Sequence, residues 1–178
     1  MRTTVSRLKV TPTLTLPQGL YFLCRNENDK QDIMTQCHSR FLWEKPEGTP
    51  DHLGLYLRKE RKFEVDATMM SCNKSIAGDG AFSLGMITKF RGNIEKEPSS
   101  YQRLFWETGM IGQVLYLEAE AHSERGTGIG CFFDDMVHEL LGLSDNRYQS
   151  LYHFTVGGPI EDKRIKTLSP YHHLKDQG

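Results

Sequence analysis

Residues 126–135, GTGIGCFFDD, hold three glycines, one of the chain's four cysteines, two phenylalanines and paired aspartates. Such residues could serve a phosphate loop, a metal site, a reactive thiol or a backbone cradle for a flat cofactor. A P-loop needs lysine directly after its last glycine and then Ser or Thr, where this chain has Cys131 and Phe132. A dinucleotide fingerprint is spaced G-x-G-x-x-G, whereas Gly126, Gly128 and Gly130 follow G-x-G-x-G. Both phosphate readings fail. Asp134 and His138 stand four residues apart and could share a metal, but a mixed pair falls short of a ligand set, and a helix cap with a surface histidine accounts for it. Cys131 as a nucleophile would need a base that the sequence does not identify. A small buried residue beside Gly130 and Phe132 is the simpler expectation.

The backbone cradle fits best. Glycine lets main-chain N–H groups approach a ligand with no intervening Cβ, and a helix starting just afterwards favours developing negative charge. A flavin is one cofactor that needs this, because N5 and the ring carbonyls require hydrogen-bond partners on a flat surface.

These residues must be positioned by the elements around them. After GTGIGCFF, Asp134 or Asp135 can cap a short helix whose inward face is Met136, Val137, Leu140 and Leu141, with Gly142 placed to end it. LYHFTVGG then reads as a strand, followed by a basic, Pro-containing tail. Upstream, a long helix from Tyr101 to His122 follows a Ser99 or Ser100 cap. One of its faces carries Leu104, Thr108, Ile111, Leu115 and Ala119, and the adjacent one Tyr101, Phe105, Gly109, Gly112 and Tyr116. Apolar residues on more than one side predict burial on several sides or a subunit interface. Gly109 and Gly112 suit the close approach of another backbone or a ligand, or ordinary packing against a neighbouring helix.

Earlier still, GLYFLC (19–24) and HLGLYLR read as strands, GAFSLGMITKF as the clearest strand of all, and DKQDIMTQCHSRF as a helix with Ile33, Cys37 and Phe41 on one face. RKERK (58–62) is expected as a solvated turn, WEKPEGTPD as a loop and RGNIEKEPSS as a polar linker.

A chain of 178 residues with 38% hydrophobic and 25% charged content suits one globular domain. A net charge of −1 gives no reason to expect nucleic acid or an anionic membrane as a partner, and no apolar run reaches the length of a bilayer span. Cys24, Cys37, Cys72 and Cys131 are spread without a C-x-x-C pair, which predicts free thiols in a reducing, cytoplasmic setting. The basic, Thr-rich start predicts a flexible N-terminus over residues 1–17 and a single domain over 18–178, although a targeting segment could look similar.

The segment SYQRLFWETGMIGQVLYLEAEAHSERGTGIGCFFDDMVHELLGL, with YHFTVGGPIEDKRIKTLSPY, resembles the C-terminal portion of the nitroreductase superfamily. It looks closest to the branch with the azoline-oxidising dehydrogenases of peptide natural-product pathways. The resemblance is strongest over residues 101–171 and looser at SIAGDGAFSLGMI. It implies an α+β fold, a central, mainly antiparallel sheet flanked by helices, and a homodimer holding FMN between subunits. Electrons would pass through flavin N5 from NAD(P)H or an organic substrate, so the implied substrate is a small molecule or a peptide. Carried onto this chain, Gly128, Ile129, Gly130 and Cys131 would lie beside the isoalloxazine, with the N–H of Gly130 or Cys131 near N5. Lys163 and Arg164 match the basic cluster that meets the FMN phosphate, a role suited to arginine's bidentate geometry; alternatively they are an exposed pair in a charged tail.

The family's Arg-Arg-Ser-x-Arg-like segment has no counterpart. MRTTVSRLK carries Arg2, Ser6 and Arg7 in another spacing, and the Asn/Gln-Pro-Trp-like segment is likewise missing. The resemblance therefore implies a domain without the family's N-terminal helices. Such a domain is either a flavin-dependent oxidoreductase with a partial site, which another chain could complete, or a non-catalytic scaffold for dimerisation or partner binding.

Overall fold

The computed structural model describes residues 2–5, 9–10 and 14–175, with side chains from 16 to 174. Three short strands open the chain: β1 (Arg2–Val5), β2 (Lys9–Val10) and β3 (Leu14–Thr15). They are followed by β4 (Gly19–Cys24), α1 (Lys30–Gln36), β5 (Leu55–Glu60), α2 (Glu64–Met70), α3 (Ile76–Asp79) and β6 (Phe82–Lys89). The second half contains α4 (Arg91–Lys96), α5 (Ser100–Ala121), β7 (Arg125–Ile129), α6 (Asp134–Leu141), β8 (Tyr148–Gly157) and α7 (His172–Lys175).

A six-stranded sheet in the order β5-β4-β1-β6-β8-β7 forms the centre, and every pairing in it is antiparallel. This is the expected α+β architecture. Alternation along the strands divides the core in two. Leu20, Phe22 and Ile87 pack with Ile33, Val137 and Leu141 of α1 and α6, while Tyr21, Leu84, Met86 and Phe154 pack with Ala119, Ile111 and Leu115 of α5. The sheet is thus clad on both faces, as its two sets of apolar positions require. The stretch 1–17 contributes β1, which pairs with β4 on one side and β6 on the other.

Four expectations about the elements and the cysteines need correction. Helix α1 ends at Gln36, so Phe41 lies beyond the helix face expected to carry it. RKERK is not a solvated turn: β5 runs through it to Glu60, and strand alternation turns Arg58 inward, where it is 2% exposed. Its guanidinium lies 3.1 Å from the centroid of the Trp43 ring and 4.6 Å from that of Phe41, and Nη1 donates to the Leu42 carbonyl. These rings and the carbonyl replace part of the lost hydration, yet burial still lowers the Arg58 pKa to about 9. RGNIEKEPSS holds a short helix, α4, before its turn, rather than only a linker. The cysteines are not all free thiols either, because Cys72 and Cys131 form a disulfide with Cα atoms 5.9 Å apart. Cysteines 59 positions apart carry no local spacing signal, so only the fold brings this pair together.

Candidate functional site

GTGIGCFFDD is half strand and half turn. Arg125–Ile129 form the edge strand β7 in register with β8, Arg125 opposite Gly157 and Ile129 opposite His153. Only Gly130–Phe133 make the connection to α6. The glycines accordingly have different causes. A Cβ at Gly126 would lie 2.8 Å from Phe154 Cζ, and one at Gly128 would run into Tyr152 Oη. The Gly128 N–H already donates to the Tyr116 hydroxyl at 2.7 Å. Gly126 and Gly128 therefore make room for the rings of β8 and α5. Ile129 is buried against Ala67 and Ala77, so its side chain faces the core.

Gly130 differs from both. Its Cβ position meets nothing within 4 Å, and Gly130 and Cys131 are both exposed. Among the described residues, neither N–H has a backbone partner. Cys131 is therefore not the small buried residue that its neighbours suggest; the turn carries it outward, where its sulfur meets Cys72. The N–H of Phe132 likewise has no backbone partner among the described residues, whereas that of Phe133 donates to the Met70 carbonyl at 2.8 Å and ties the turn to the end of α2.

Below the turn, Phe132 stacks on His153 with centroids 4.3 Å apart and planes 7° from parallel. His153 is 4% exposed, its Nε2 lies 3.1 Å from Ser150 Oγ, and burial lowers its pKa to about 4, so it is neutral at pH 7. Gly85 stands opposite in β6, where a Cβ would crowd Nε2 at 3.2 Å. A cavity of about 40 Å³ adjoins this ring, lined by Ala67, Ser71, Ser83, Val137 and Leu141 among others. It is room for water rather than for a cofactor.

α6 starts at Asp134 without a side-chain cap, and Gly142 ends it at φ 79°. Asp134 instead accepts a hydrogen bond from Gln149 Nε2 at 2.5 Å. Among the described residues, no group of three or more His, Cys, Asp or Glu is placed to hold a metal, and no helix is long and apolar enough to cross a membrane.

Lys163 and Arg164 are exposed on the tail. The Arg164 fork is engaged by Asp162, with Nη2 to Oδ2 at 2.6 Å and Nε to Oδ1 at 2.9 Å, and this partner raises its pKa. The tail leaves β8 beside Arg125, whereas Gly130 follows Ile129 at the other end of β7. At about 3.4 Å per residue, the strand separates the two ends by roughly 13 Å. The structure thus sets the glycine turn and the tail's departure apart rather than joining them in one cluster. A cleft of about 350 Å³ lies at the departure end, lined by Asp79, Arg125, Thr127, Thr155 and Gly158 among others.

Sequence reasoning missed Cys72, Tyr116, Tyr152 and His153 around this turn. The alternation of β8 could have pointed to His153, but a register shift at Met86/Ile87 in the β6–β8 pairing obscures which residues face which side.

No protein-family model matches the sequence, and no curated protein matches it. Among solved structures, a protein described as a nitroreductase from Anabaena variabilis superposes with a TM-score of 0.64 at 21% identity, over 89% of this chain and 27% of its own. The E. coli microcin synthetase McbBCD complex contains a chain that matches with a TM-score of 0.56 at 14% identity, over 90% of this chain and 52% of its own. A further protein described as a nitroreductase, from Ralstonia eutropha, gives 0.50 at 13% identity, over 90% and 59%. The chain therefore spans between about a quarter and three-fifths of the length of these structures. At these identities the likeness concerns the backbone: the chain has the nitroreductase fold.

Proposed function

We propose that the chain is the FMN-binding part of a flavin-dependent oxidoreductase, with the isoalloxazine lying against the Gly130–Cys131 turn. One observation carries this reading: Gly130 and Cys131 are both exposed and, among the described residues, neither N–H has a backbone partner, beside a Gly130 Cβ position with nothing within 4 Å. Flavin ring acceptors would satisfy both donors. Flavin supplies two-electron chemistry at N5 when bound; this chain's own residues would bind and orient the ring, with NAD(P)H or a small-molecule or peptide substrate as the electron source. Gly128 and Ile129 act from behind the turn, since the N–H of the first and the side chain of the second are already engaged.

The phosphate end fits less well. Arg164 must leave Asp162, or share its fork, to receive a phosphate. Lys163 and Arg164 therefore hold FMN weakly unless residues of another chain join them. A homodimer would provide such residues. Trp106, Met110, Val114 and Leu117 are each more than half exposed along α5, and Gly109 beside them has nothing over it. A stripe of large apolar side chains left uncovered on one helix marks an association surface, and a second copy is the proposed occupant. We place the protein in the cytoplasm, where NAD(P)H is available.

Flavin absorbance in the purified protein, or its appearance on adding FMN, tests the reading. No absorbance and no binding at any FMN concentration would favour the scaffold alternative, for which the exposed α5 stripe is the supporting observation.

A further inference from the structure

We infer that Cys72–Cys131 is a thiol–disulfide exchange site that takes a small dithiol as its reactant. The bond joins the residue after the α2 cap, Ser71, to the exposed side of the glycine turn. Three features make it an exchange site rather than a buried staple.

First, Cys131 is exposed and its neighbour Gly130 has open space above it, so an incoming thiolate can reach Cys131 Sγ. Access to the attacked sulfur governs exchange. Second, Cys72 and Asn73 both lie in the left-handed region, at φ 54° and 57°. The position after a helix cap is ordinarily given to glycine for this reason, and two consecutive L-residues adopt the region only at a cost. Here a cysteine occupies it and places a sulfur against the turn. Third, opening the bond does not release the segments it joins. The Phe133 N–H remains bonded to the Met70 carbonyl at 2.8 Å, and Ala67, Ile129 and Val137 remain buried on either side. The two sulfurs therefore stay close enough to re-form the bond.

In the forward direction one thiolate of the dithiol attacks Cys131 Sγ. The S–S bond breaks, its electron pair goes to Cys72 Sγ, and that sulfur takes a proton. The second thiol then attacks the mixed disulfide, Cys131 leaves with the electron pair and is protonated, and the reactant departs as a cyclic disulfide. The reactant is oxidised by two electrons and the Cys72–Cys131 pair is reduced by two. A disulfide that opens and re-forms in this way is redox-active rather than structural.

This inference uses the same open face of the turn as the flavin reading, but its test is made on flavin-free protein and so succeeds or fails separately from that reading. The full-length protein, purified without reductant, is treated with dithiothreitol under native conditions, and its new thiols are alkylated and located by peptide mass mapping. The expected result is labelling gained at both Cys72 and Cys131 and not at buried Cys24, with unchanged far-UV circular dichroism and recovery of the bond on adding oxidised glutathione. In the Cys72→Ser variant, oxidised glutathione should form its mixed disulfide on Cys131. A bond that resists dithiothreitol until the protein is unfolded would overturn the inference, as would Cys72 and Cys131 found as free thiols in the protein purified without reductant. Should Cys72→Ser fail to fold, the native-state labelling decides alone.

Discussion

The Gly128 N–H donates to the Tyr116 hydroxyl at 2.7 Å. This one bond ties the edge strand β7 to the middle of α5, so the first half of the glycine stretch is a packing device. Tyr152 fills the space where a Gly128 side chain would stand, and Tyr116 and Phe154 meet edge to face at 4.8 Å.

Gly128→Ala should therefore destabilise the fold by about 1–3 kcal/mol or more, since overpacking forces rings or backbone to move. Tyr116→Phe keeps the ring and loses the acceptor, and should cost about 0.5–1.5 kcal/mol. Urea unfolding followed by circular dichroism measures both. A neutral Gly128→Ala would show that Tyr152 has somewhere else to go.

His153 makes stability depend on pH. Burial lowers its folded-state pKa to about 4, against an ordinary value of 6.5. Between those values the unfolded chain binds more protons than the folded one, so stability rises with pH across the window. Its contribution is present above pH 6.5 and lost as pH falls toward 4, by an amount on the order of 3 kcal/mol. The difference in stability between pH 7 and pH 4.5 should shrink in His153→Gln. An equal acid sensitivity in the variant would assign the loss to other groups.

The uncovered α5 stripe predicts self-association. Sedimentation at micromolar concentration should show a dimer, and Met110→Glu should shift it to monomer, because a buried unpaired carboxylate is costly. A parent protein that is monomeric at those concentrations would rule out this surface as the dimer interface.

Asp162 and Arg164 bear on the phosphate. With its fork held by Asp162, Arg164 is only partly available, and FMN should dissociate during purification. Arg164→Ala should weaken FMN binding by about tenfold and leave riboflavin unaffected, as expected for loss of one charge-assisted contact. Asp162→Asn should strengthen FMN binding by releasing the fork. Tight FMN retention that survives Arg164→Ala would mean that other residues hold the phosphate.

Most of the elements were legible because their signals are local. The short apolar run GLYFLC after Pro17 and the alternation in GAFSLGMITKF predict β4 and β6, and Gly142 ends α6 as its type and position suggest. The inward face of α5 also follows from periodicity, with Thr108 and Ala119 buried as expected. The failures share a cause. Whether Arg58 points inward, whether Gly128 packs under a tyrosine, and whether Cys72 meets Cys131 all depend on partners distant in sequence. Charged composition in RKERK outweighed its strand register, and the glycine spacing in GTGIG looked like one turn although strand pairing claims its first half. Among the described residues of that stretch, Gly130 and Cys131 are exposed with N–H groups that have no backbone partner, which is what a cradle would need.

The central claim is therefore tested most directly at Gly130, where a side chain meets no neighbour in the fold and would stand where the ring is placed. Riboflavin and FMN titrations followed by flavin fluorescence should show saturable binding to the parent. Gly130→Val should abolish it while leaving circular dichroism and urea stability nearly unchanged. Equal flavin binding by parent and Gly130→Val would contradict the account and reduce the stretch to a tight turn between an edge strand and a helix.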